Sequence, residues 1–182
     1  TIENPRQAMS HGIALIPEDR RAQGLVLDHS VRENFLLPLL SRISRLGFVD
    51  DPEGDRQTNE FVSRLSIKTR STGQTIGTLS GGNQQKVVIA KWLGLEPRIL
   101  IMDEPTAGVD IGTKGEIVAM IRTFVEQGNS VIIISSELPE LLAVSDRILI
   151  LRDGTVVDEI DRAAIRQEED LHHAIQGVEV PS

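Results

Sequence analysis

The sequence predicts an α/β fold with an inserted helical subdomain, and with no phosphate-gripping loop of its own. Three observations predict it. Short apolar runs, Ile99 to Met102 and Val131 to Ile134, alternate with longer segments of helical period. The stretch from Ser30 to about Ile76 has a different and wholly helical texture. No Gly-x-x-x-x-Gly-Lys-Ser/Thr segment occurs in the 182 residues.

Each element follows from local pattern. Gly12 to Ile16 is a short apolar run ending at Pro17, read as a buried strand, and Pro17-Glu18-Asp19-Arg20-Arg21 is a charged turn. In the helical stretch, Leu36, Leu37, Leu39 and Leu40 belong to one amphipathic piece and Phe61, Val62 and Leu65 to another. Asp50-Asp51-Pro52-Glu53-Gly54 between them reads as a polar loop. Ser80 is placed to cap a helix carrying Val88, Ile89, Trp92 and Leu93 on one face, with Pro97 beyond its end. Ile99 to Met102 reads as a strand covered on both faces. Ile117, Met120, Ile121, Phe124 and Val125 recur at helical spacing until Gly128, and Val131 to Ile134 is a second buried strand. A short helix over 137–144 and a third strand over 148–151 follow. Asp153-Gly154 then turns that strand into Thr155-Val156-Val157 as a hairpin. A final short helix over 168–175 precedes a ragged tail. The resulting division is 1–29 (strand and charged turn), 30–78 (helical subdomain), 79–161 (α/β core) and 162–182 (terminal helix and tail).

Bulk properties exclude several classes. A net charge of -8 without a basic stripe argues against nucleic acid as a partner. Four histidines and no cysteine leave little for a zinc site or disulfide framework, and adjacent His172-His173 point to different sides of a helix. No apolar run approaches the ~20 residues of a membrane helix. The polar start Thr1-Ile2-Glu3 carries no signal peptide and no methionine, which suits a piece of a longer protein.

Chemistry concentrates in two segments. Ser80-Gly81-Gly82 sets glycines at a helix start, where unpaired amides and the positive dipole end suit a phosphate; a capped helix after a flexible turn fits the same residues. Asp103 and Glu104 end an apolar strand, where α/β folds place ligands. Asp103 is suited to a magnesium ion through its water and Glu104 to polarising an attacking water; strand-end acids capping the next turn are the plainer alternative.

Taken together these motifs resemble ATP-binding cassette ATPases. Leu79-Ser80-Gly81-Gly82-Asn83-Gln84-Gln85 is similar to their signature motif, Ile99 to Glu104 to their Walker B strand with its catalytic glutamate, and Gly108-Val109-Asp110 to their D-loop. Pro17-Glu18-Asp19-Arg20, Gly24-Leu25-Val26, the Gly-Gly-Asn-Gln-Gln form and Ser135-Ser136-Glu137 resemble one branch, the ATPase subunits of bacterial sugar importers of the ribose, galactose and xylose type. Such subunits carry two cassettes, and this chain is most similar to the second, from Pro5 to about Asp161.

The resemblance implies a P-loop NTPase-like core truncated before its first strand and Walker A loop, using ATP and Mg2+. It implies Glu104 as catalytic residue and Asp103 as metal ligand. Nucleotide contacts would come from Ser80, Gly81, Gly82, Asn83, Gln84, Glu18, Asp110 and Ser136. It further implies the first cassette of the same polypeptide and the transmembrane permease as partners, a periplasmic or extracellular sugar-binding protein indirectly, and a peripheral place on the cytoplasmic face of the bacterial membrane. Two departures stand out. Glu18 occupies the Q-loop position where glutamine is usual, and a carboxylate repels phosphate. Ser136 stands where a switch histidine is expected. The expected consequence is asymmetric: signature residues serve the partner's site in trans, this cassette's own site is weak, and the chain alone is inactive. Two other readings remain, an inert cassette that only docks permease or partner, and a soluble non-transport cassette ATPase. The charges of Glu18, Asp19, Arg20 and Arg21 fit either a permease contact or a solvated turn.

Overall fold

The computed structural model describes residues 1–176, which fall into two units, residues 1–134 and the residues from Ser135 onward. In the first unit, helix α1 (Pro5–Ser10), capped by Asn4, leads into strand β1 (Ile13–Ile16). A five-residue π-turn, Arg20–Gly24, follows the strand. Helix α2 (Val31–Leu36) opens on a reciprocal capping box: the Glu33 amide donates to Ser30 Oγ (3.1 Å), and the Ser30 amide donates to the Glu33 carboxylate (2.7 Å). Fully buried Asn34 accepts from the Val26 amide and donates to the carbonyls of Val26 and Ser30, which fixes the loop before the helix.

Pro38 divides the leucine-rich piece expected to be one helix. A 3-10 turn (Leu37–Leu39) separates α2 from a short α3 (Leu40–Ile43), because proline removes a backbone donor. Leu36 and Leu39 are buried while Leu37 and Leu40 stay over a third exposed. A small hairpin, β2 (Ser44–Arg45) with β3 (Phe48–Val49), leads to α4 (Asp51–Arg64). Here the expected polar loop over 50–54 is overturned. Asp50 caps α4 by accepting from the Glu53 amide (3.1 Å), and Pro52 lies in the first turn, where its missing N–H costs nothing. Phe35 and Phe61 meet at 5.1 Å between centroids, joining α2 to α4.

Helix α5 (Gly81–Leu93) starts at its Ser80 cap as expected, and strand β4 (Ile99–Asp103) follows. Helix α6 (Ile111–Glu126) and strand β5 (Ser130–Ile134) complete the unit, with Gly128 at φ +86 ending the helix run. The strands form a parallel sheet in the order β1-β4-β5. The register puts Ala14, Ile16, Leu100 and Met102 on one deeply buried face. The opposite face carries the row Leu15, Ile101 and Ile132, then Asp103 beside Ile134. Leu15, Ile132 and Ile134 are each about half exposed on that face, at 50%, 54% and 51%. The expectation of strands covered on both sides therefore holds for one face only.

In the second unit, α7 (Leu138–Val144) precedes the antiparallel hairpin β6 (Arg147–Arg152) and β7 (Thr155–Asp161), and α8 (Glu168–Gln176) follows. The strand over 148–151 is thus paired in its own hairpin, apart from the parallel sheet, because the Asp153-Gly154 turn supplies an adjacent antiparallel partner. Ile148, Ile165 and Leu171 form its core. The tail expected after α8 lies outside the described residues.

Candidate functional site

The helix-start segment is built from its own polar side chains. Ser80 is exposed and extended, as an N-cap should be, and its Oγ accepts from Asn83 Nδ2 (2.8 Å). Asn83 Oδ1 in turn accepts from the Lys68 amide (2.7 Å), tying the helix start to the chain after α4. Gln84 is buried, and its amide donates to the carbonyls of Leu79 (3.1 Å) and Ile76 (3.3 Å). Both side chains therefore hold the loop in shape.

The two glycines are demanded by close packing within the chain. A Cβ at Gly82 would lie 2.6 Å from Thr113 Oγ1 and 3.1 Å from Thr113 Cβ, both on α6. A Cβ at Gly81 would lie 2.8 Å from Arg20 Nη2 and 3.3 Å from the Gly108 carbonyl. Thus the Gly81-Gly82 step sits directly against Gly108 of the loop between β4 and α6 and against Thr113 in the first turn of α6.

That loop begins at the two acids. Asp103 closes β4, half-buried, with Ile134 beside it in register. Glu104 adopts φ +44, a left-handed backbone that a non-glycine residue takes only where its surroundings enforce it. Its amide donates to the Ile134 carbonyl (2.8 Å), and its carbonyl accepts from the Ala107 amide (3.1 Å). Asp110 then caps α6: Oδ1 accepts from the Thr113 amide (3.0 Å) and Oδ2 from Thr113 Oγ1 (2.8 Å). These bonds to Thr113 hold the Asp110 carboxyl below its usual range.

Arg20 joins the two segments. Its Nη1 donates to the Ala107 carbonyl (2.8 Å) and its Nη2 to the Gly108 carbonyl (3.4 Å). The solvated-turn alternative therefore fails for Arg20, which is half-buried, while Glu18 and Asp19 beside it are exposed. Asp19 accepts from the amides of Arg21 and Ala22 at 3.0 Å each and so caps the π-turn. Neither Arg20 nor Thr113 is among the expected nucleotide-site residues; the sequence marks Arg20 only within the Pro17-Glu18-Asp19-Arg20 motif and as one of the charges open to a permease contact or a solvated turn.

The structure thus brings together Ser80, Gly81, Gly82 and Asn83 with the loop of Glu104 to Asp110. Glu18 lies on the same unit, at the entrance to the π-turn. Ser136 belongs to the second unit and is exposed; the neighbouring Ser135 hydroxyl is the one that donates to Glu140 (2.5 Å). Among the described residues no group of three or more His, Cys, Asp or Glu is placed to hold a metal ion. A single carboxylate at a strand end still suits magnesium, which keeps its waters and takes most remaining ligands from a substrate's phosphates.

Comparison with known proteins identifies relatives of the chain. The chain is 47% identical over 174 residues to the ribose import ATP-binding protein RbsA of Rhodopirellula baltica, covering 96% of this chain and 34% of that protein. It is 46% identical over 177 residues to the RbsA of Oceanobacillus iheyensis, covering 97% and 36%. The chain therefore spans about a third of the length of the curated relatives it matches. Among solved structures, a dimeric, post-hydrolysis form of the ATP-binding cassette MJ0796 bound to ADP and Pi shares its fold, with a TM-score of 0.73 at 24% identity over 88% of this chain and 68% of that one. The ABC transporter family model matches residues 2–107, more than half of the chain, and the chain belongs to that family.

Proposed function

We propose that this chain is a nucleotide-binding cassette portion of a sugar-import ATPase, serving chiefly by presenting its signature segment to a nucleotide held by a partner cassette. The observation that carries this reading is the fusion of the α5 start with the loop of Glu104 to Asp110 through Arg20, Gly81 and Gly82. A surface acting in trans must be rigid before its partner arrives, since only preorganised donors stabilise charge without reorganisation. Partners of this reading are the other cassette of the polypeptide, a permease that holds the complex at the cytoplasmic face, and an external sugar-binding protein reached through it. Among the described residues no helix is long and apolar enough to cross a membrane.

Within the cassette, Ser80 and the amides of Gly81 and Gly82 face the terminal phosphate of the partner's ATP, and Asn83 and Gln84 keep that loop in shape. Asp103 would hold Mg2+, which supplies charge neutralisation of the phosphates when bound. Glu104 orients a water and accepts its proton. Glu18 and Asp110 of the first unit, and separately Ser136 of the second, are the remaining nucleotide contacts of this reading. Glu18 repels phosphate, so the site of Asp103 and Glu104 turns over slowly in this reading.

Mg-ATP turnover by the chain alone and after mixing with the separately produced partner cassette tests the reading. Turnover is expected only in the mixture. Ser80→Asp should lower it by about 100-fold at an unchanged melting temperature, since Asp caps a helix as well as Ser but sets an anion against the phosphate. Loss of melting temperature in step with activity would mean that Ser80 matters only as a cap. In the complete two-cassette protein, Glu104→Gln is expected to leave most turnover intact. If it abolished turnover as fully as the equivalent change in the other cassette, the asymmetry would be refuted.

A further inference from the structure

We infer that Arg20 is a positioning residue that sets the signature segment and the loop of Glu104 to Asp110 in one register; this rests on the functional reading above. Its guanidinium spans two consecutive carbonyls, Ala107 and Gly108, and fills the space over Gly81 that a Cβ would need. A planar fork can serve two acceptors at once, whereas an ammonium is a point charge. Arg20 Nε is buried and has no hydrogen-bond partner among the described residues, so the side chain is committed to these carbonyls without a neutralising bond.

The backbone beneath Arg20 is equally fixed. It opens the π-turn Arg20–Gly24, whose start is capped by Asp19. At the other end, the Gly24 carbonyl accepts from buried Lys91 Nζ of α5 (2.5 Å), and a Cβ on Gly24 would lie 3.0 Å from Val88. A π-turn costs regular helical bonding and often marks a functional site. Here it runs from the C-terminal half of α5, at Val88 and Lys91, to that helix's own N-terminus and ends in the guanidinium. Movement of the chain after β1 is thereby passed to the two segments that carry the polar surface. Contact with nucleotide is not required of Arg20; its effect is on where Gly81, Gly82 and Asp110 stand.

The test uses the complete transporter ATPase containing this cassette, with kcat and KM for Mg-ATP measured for Arg20→Ala and Arg20→Lys. Arg20→Ala is expected to lower kcat by about 10- to 100-fold while KM moves less than about threefold, because initial nucleotide binding does not use this register. Arg20→Lys should recover little, since one ammonium cannot span both carbonyls. Gly81→Ala should cost distinctly more in the native background than in Arg20→Ala, where the 2.8 Å clash with Nη2 is gone and the 3.3 Å contact with the Gly108 carbonyl remains, a non-additivity that a residue of merely general structural value does not produce. Amide exchange should accelerate at 107–110 and stay slow in β4. Unchanged kcat, full recovery by lysine, or additive effects of the two substitutions would overturn the assignment. If Arg20→Ala does not fold, Arg20→Gln, which keeps one donor, is judged by the same criteria. A native complex without ATPase activity would refute the functional reading instead, and the exchange comparison would still decide the role of Arg20.

Discussion

Asp110 owes its charge state to the helix it caps. Its carboxylate accepts from the backbone and the hydroxyl of Thr113, and both bonds favour the ionised form. The folded carboxyl therefore titrates lower than the unfolded one, so its stabilising contribution is full at neutral pH and is lost as pH falls through the folded value, below about pH 4. Asp110→Asn should lower the melting temperature at pH 7, and the gap to the native chain should close in thermal melts taken toward pH 3. At this scale the sequence was only partly legible. Ser80 and its cap could be read because the partner is three residues away. Arg20 could not, because its acceptor is Ala107, 87 positions later. Nothing local distinguishes an arginine that reaches across a fold from one that stays in water.

Helices α5 and α6 meet where Gly82 faces Thr113, and the buried Lys86 adds a tie by donating to the Ser66 carbonyl (3.1 Å) and pairing with Glu116 of α6. Thr113 is β-branched and is already bonded to Asp110, so it cannot swing aside for a new methyl group. Gly82→Ala is expected to destabilise by about 1–3 kcal/mol, the usual range for overpacking, and Thr113→Ala in the same chain should restore part of it. Denaturant melts of the single and double variants check this. Helix and strand positions were legible in sequence wherever apolar periodicity or a cap marked them, as for α5, α6 and the β6-β7 turn. Asp50 to Gly54 misled because acids, proline and glycine are loop formers, yet Asp50 with an early Pro52 is also how a helix begins. The break at Pro38 is masked in the opposite sense, since Leu36, Leu37, Leu39 and Leu40 on either side of it keep a helical spacing.

At the scale of the molecule, the parallel sheet buries one face and leaves the other apolar and half open, from Leu15 through Ile132 to Ile134. Continuous apolar runs cannot by themselves reveal which side is covered, so this asymmetry was not legible in Ile99 to Met102 or Val131 to Ile134. Exposed apolar rows on a sheet with open edges favour association between copies. The isolated chain is expected to self-associate in sedimentation experiments. Replacing Ile132 and Ile134 together by threonine, which keeps the β-branch, should shift it toward monomer without lowering its melting temperature. Asp103 belongs to that same open face, and this has an electrostatic consequence. A cation about 4 Å from an ion in bulk water gains only about 1 kcal/mol, against about 4 kcal/mol under the weaker screening near a protein surface. If Asp103 holds a divalent ion, as proposed above, their attraction depends on how much solvent remains over the neighbouring isoleucines. In that reading, a segment that comes to lie on that face would strengthen the attraction by displacing water, even if it contributed no ligand at all.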